Sequence, residues 1–110
     1  MDYRELSEEL TKVLREKVDK EIDAIVWFNK QDQDIKFEVT YIGFSVEAEI
    51  CSGFVSNGGE VEFYRKSSEL PLSDTTNLTP YQITKTRKLV KKFLEETSKT
   101  PWQGINSLVL

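Results

Sequence analysis

The stretch "AIVWFNKQDQDIKFEVTYIGFSVEAEICSGFVSNGGEVEFYRK", residues 24–66, decides the fold, because its apolar residues recur at every second position. A period of two marks a half-buried strand, and it breaks at "QDQD", "IG" and "SNGG", each suited to reversing the chain. The expectation is a four-stranded antiparallel meander. Asn57-Gly58 is the strongest local signal, since both residues tolerate the positive φ of a two-residue type I′ turn. That turn sets Phe54 opposite Val61, Ser52 opposite Phe63 and Ile50 opposite Arg65. A two-residue loop at Asp32-Gln33 sets Phe28 against Phe37, Val26 against Val39 and Ala24 against Tyr41. A tight turn at Ile42-Gly43 sets Val39 against Val46 and Phe37 against Ala48; the alternative is one long strand with a bulge at Gly43. In this register Phe44, Val46, Ala48, Ile50 and Phe54 share the inner face with Val61 and Phe63. One pair objects, because Glu38 would face Glu47, and like charges directly opposite are unfavourable.

On either side of the strands the period is that of a helix. Tyr3, Leu6, Leu10, Val13, Leu14, Val18 and Ile22 form one apolar stripe, which predicts a helix from Tyr3 to about Asp23. Residues 67–79 are polar and aperiodic and read as a loop. Thr79 and Pro80 then supply an N-cap and a first helical residue, and the pattern runs to about Ser98. Ile83, Thr86, Leu89, Val90, Phe93, Leu94 and Thr97 occupy one arc of that second helix. The fold class is therefore α+β, a four-stranded antiparallel meander packed with two helices in the order α-β-β-β-β-α. Residues 1–99 make a single domain, and residues 100–110 an apolar C-terminal tail expected to dock on it.

Composition limits function. The chain has 110 residues, a net charge of −4 and no histidine. Without imidazole the Ser–His and Cys–His hydrolytic arrangements and most transition-metal sites are excluded. No enzyme activity, cofactor or metal is expected. One cysteine, Cys51, cannot form an internal disulfide, and the acidic N-terminus "MDYRELSEEL" does not resemble a secretory signal, so a cytoplasmic address is expected. No apolar run reaches the ~20 residues that span a bilayer, so no membrane partner is expected.

Two surfaces are candidates for function. The outward sheet face is expected to hold Glu38, Glu47, Glu49, Glu60 and Glu62, with Ile25, Trp27, Cys51, Val55 and Tyr64 also pointing outward. If both helices cover the other face, these residues form an exposed patch suited to a protein partner or to a second copy in a homodimer. Trp27, Glu38, Glu47, Glu49, Glu62 and Tyr64, together with Trp102 of the tail, are the candidate partner-binding residues. The carboxylates could alternatively only solvate the sheet. The second surface is "KTRKLVKK", where Lys85, Arg87, Lys88, Lys91 and Lys92 make a basic band opposite the apolar arc. Such a band can contact nucleic-acid phosphates or simply solvate the helix; nothing around it reads bases. The expected function is a small non-catalytic protein-binding domain of adaptor or inhibitor type. Its alternative is nucleic-acid binding through the basic helix face.

Overall fold

The structure, a computed structural model, describes residues 2–65 and 78–98. Helix α1 (Tyr3–Lys17) is followed by strands β1 (Ile22–Asn29), β2 (Asp34–Ile42), β3 (Glu47–Val55) and β4 (Val61–Phe63), then by helix α2 (Pro80–Ser98). The strands form one antiparallel sheet in sequence order, a meander. The expected α+β fold and element order are those observed. The expected docking of the tail, Trp102, and most of the 67–79 loop lie outside the described residues.

Both helices lie on one side of the sheet. Leu6, Leu10 and Leu14 of α1 and Ile83, Val90 and Leu94 of α2 join the same core as Ile22, Ala24, Val26, Ile35, Phe37, Val39, Ile50 and Val61. α1 packs on β1, α2 packs on β3 and β4, and the helices meet each other. The N-terminus of α1 is capped by Asp2, whose carboxylate accepts from the Glu5 N–H at 2.8 Å. Thr79 and Gln82 form a reciprocal capping box at α2: the Thr79 hydroxyl accepts from Gln82 N–H, and the Gln82 amide oxygen accepts from Thr79 N–H. Thr86, fully buried on the apolar arc, satisfies its hydroxyl on the Gln82 carbonyl at 2.8 Å.

Several expectations are corrected. α1 stops at Lys17 rather than near Asp23, because the Asp19 carboxylate accepts from Glu21 N–H and turns the chain into β1. Ile22 therefore pairs with Tyr41, and Ala24 with Val39, two residues off the expected register. The connecting loop has four residues, Lys30 to Gln33, and Gln33 takes φ 57°. A slip of two preserves the faces, so β1 and β2 still bury the predicted residues. The β2–β3 loop spans Gly43 to Val46, closed by Gly43 N–H donating to the Val46 carbonyl, and Phe37 pairs with Gly53 rather than Ala48. Phe44 and Val46 consequently project at the tip, with Phe44 fully exposed, instead of lining the core. Glu38 faces Ser52 and Ile25, which removes the expected Glu38–Glu47 clash.

The remaining error has the opposite parity. Val55, not Phe54, opposes Val61, and the positive φ falls on Gly59 (84°) within a longer loop from Ser56 to Glu60. A one-residue slip exchanges the faces of a strand. Cys51, Gly53 and Val55 therefore turn inward and Phe54 turns outward. The parity is restored toward the start of β3 by a bulge, where the register shifts between Val39–Cys51 and Thr40–Glu49. Ile50 is the extra residue, and both it and Cys51 are buried. The irregularity thus lies at Ile50, and Gly43 belongs to a turn.

Candidate functional site

Because both helices cover one side, the other side of the sheet is left uncovered by either. Cross-strand pairing arranges its residues in rows. One row runs Trp27, Lys36, Phe54, Glu62 across all four strands. The next runs Ile25, Glu38, Ser52, and Tyr64 extends it, since Tyr64 N–H donates to the Ser52 carbonyl at 3.0 Å. The third is Asp23, Thr40, Glu49. Ile25 and Tyr64 are 52% and 53% exposed. Trp27 and Phe54 are half-buried, while Glu38 and Glu62 are exposed.

Lys36 is the sole cation within these rows, and it is pinned. Its Nζ donates to the Tyr64 hydroxyl at 2.6 Å, lies 3.1 Å from Asp32 Oδ2 and 3.5 Å from Asp34, and leaves the side chain 14% exposed. The hydrogen bond to Tyr64, then that to Asp32, hold the ammonium above the ordinary lysine range. The same ammonium sits 5.3 Å from the Tyr64 ring centre and 5.7 Å from that of Phe54, whose rings are themselves 5.7 Å apart. The ammonium meets Tyr64 at its hydroxyl, nearly in line with the C–O bond, whereas its approach to Phe54 is at cation–π distance.

Of the residues expected at a partner-binding surface, Trp27, Glu38, Glu49, Glu62 and Tyr64 share this face. Glu47 is exposed at the first position of β3, opposite Ile42, at the end of the sheet away from Trp27. Phe54 was missed, because the expected register turned it inward. Cys51 and Val55 leave the outward list: Cys51 is 1% exposed in the core, and burial pushes its thiol up to about 12, with Glu49 adding to the shift and Arg87 opposing it. Such a thiol carries no thiolate at neutral pH and is a poor nucleophile. No group of three or more Asp, Glu or Cys among the described residues is arranged to hold a metal ion.

The basic band on α2 is only partly available. Arg87 lies with its guanidinium carbon 4.1 Å from the Phe63 ring centre, and its Nη1 is buried without a hydrogen-bond partner. Lys91 donates to Glu95 at 2.6 Å, and Glu95 also accepts from the Val61 N–H of β4. Lys85, Lys88 and Lys92 form no ion pair among the described residues.

The chain matches no protein family, no curated protein and no solved structure. No helix among the described residues is long and apolar enough to cross a membrane.

Proposed function

We propose that this chain is a small non-catalytic protein-binding domain whose contact surface is the face of its sheet that neither helix covers. One observation carries the reading: α1 and α2 pack on the same side, leaving Ile25, Trp27, Phe54 and Tyr64 together on the other. An apolar patch rimmed by charges is how protein interfaces are commonly built, with aromatic residues as their anchors. Glu38 and Glu62 stand on the exposed part of that face and supply a charged rim. The absence of histidine and the burial of Cys51 favour binding over catalysis.

A photo-crosslinking residue introduced at Tyr64 and, separately, at exposed Lys12 of α1 tests the proposal in the native cell. A discrete adduct with another protein from position 64 and not from position 12 is expected. Adducts from neither position, or the same set from both, would overturn it.

A further inference from the structure

Resting on that reading of the sheet face, we infer that its partner presents an arginine-bearing, extended basic segment. Three features of the face specify this chemistry. The first is charge: Glu62, Glu38 and Glu49 fall in successive rows, the last row also holding Asp23, which pairs with Arg15, and Lys36 is the one cation in the rows themselves. Apposing two copies of this face would bring like charges together, which disfavours a symmetric dimer through it.

The second feature is spacing. Successive rows on a sheet face lie about 6.6–6.8 Å apart, twice the rise of a strand. An extended segment laid along the strands repeats its alternate side chains at the same interval. Every second residue of such a segment meets a row that carries a carboxylate. No group of three or more carboxylates among the described residues is arranged to hold one metal ion. The face therefore suits a series of fixed cations rather than one metal.

The third feature is the rings. Lys36 already places a cation within cation–π distance of the Phe54 ring. That niche is filled, whereas Trp27 at the other end of the row carries no cation contact among the described residues. Trp is the strongest cation–π partner, and a planar guanidinium both stacks on a ring and forks onto a carboxylate. An arginine over Trp27 can fork onto Glu38, one strand and one row away, and satisfies both demands. Lysine satisfies only one.

The test uses the full chain with Trp102→Phe, so that Trp27 alone reports by fluorescence. Fluorescein-labelled hexapeptides alternating arginine, lysine or glutamate with threonine are titrated at physiological ionic strength and followed by anisotropy. The arginine peptide should bind and alter Trp27 emission, and the lysine peptide should bind several-fold more weakly. Glu38→Gln with Glu62→Gln should weaken the arginine peptide at least about tenfold, the scale of a lost charge-assisted contact. Glu8→Gln with Glu9→Gln on α1 changes net charge equally and should alter binding by less than about twofold. Equal weakening by both pairs, or equal binding of arginine and lysine peptides, overturns the inference. So does salt-sensitive self-association in sedimentation, which would seat α2 of a second copy on this face. Position-64 adducts without arginine preference would leave the binding face standing with another partner chemistry; loss of both would remove the face as well.

Discussion

A methyl group added at Gly53 would lie 1.9 Å from the Glu62 carbonyl oxygen and 3.0 Å from the Phe37 ring. Gly53 sits between Phe37 on β2 and Phe63 on β4, and the two rings meet edge to face at 5.7 Å above it. The absence of a side chain is what allows that contact, so Gly53→Ala should destabilise by at least about 3 kcal/mol in urea denaturation, because backbone must move. Cys51, next along the same inward side, gives a pH prediction. Its folded thiol ionises near 12 and its unfolded thiol near the ordinary 9.0, so above pH 9 the unfolded state has released a proton the native state keeps. Stability should then hold steady from pH 7 to about 8.5 and fall by up to about 1.4 kcal/mol per unit beyond pH 9. Tyr3, raised by burial from 10.0 to about 12, adds the same sign only above pH 10. Cys51→Ala should therefore flatten the pH 9–10 window in particular; an unchanged slope there would place the effect elsewhere.

At the scale of elements, the two edges of the sheet are closed by helix side chains. Along β1, Ser7 accepts from the Val26 N–H at 2.8 Å, and Thr11 accepts from the Ala24 N–H and donates to its carbonyl, both at 3.1 Å. Arg15 Nε donates to the Ile22 carbonyl at 2.8 Å. Four residues of helix rise about 6.0 Å and two residues of strand about 6.7 Å, so the stripe Ser7, Thr11, Arg15 keeps step with Val26, Ala24, Ile22. α1 thus takes the place of a fifth strand, which blunts an edge otherwise open to pairing. Thr11→Val, which preserves shape and removes the hydroxyl, should cost about 1–3 kcal/mol by thermal or urea unfolding, with Thr11→Ser recovering most of it. None of this was legible beforehand, because a polar stripe on a helix looks like a solvated face. Apolar periodicity, by contrast, located every element. What it could not settle was register: a slip of two in β1 left the faces intact, whereas a slip of one at β4 hid Phe54 and misplaced Cys51 until the bulge at Ile50 restored parity. Trp27, Glu38, Glu62 and Tyr64 were readable because their parity survived.

For the whole molecule, the consequence is a separation of charge: carboxylates on the open sheet face, and lysines on α2, which packs against the opposite side. Counting from sequence alone, five cations of α2 could meet phosphates. In the folded chain Arg87 is drawn onto Phe63 and Lys91 onto Glu95, which leaves Lys85, Lys88 and Lys92. Each phosphate neutralised contributes about −0.9 to the slope of log affinity against log salt. Any duplex binding through this helix should therefore show a slope no steeper than about −2.7, rather than the −4.5 or so that five contacts would give. Anisotropy of a labelled duplex over a salt series measures this directly. Lys88→Glu with Lys92→Glu should abolish such binding while leaving the arginine-peptide affinity of the sheet face within about twofold, since the two surfaces lie further apart than a Debye length at physiological salt. A slope near −4.5 would mean that Arg87 and Lys91 leave Phe63 and Glu95 for phosphate, and the basic helix would then be a second working surface of the domain.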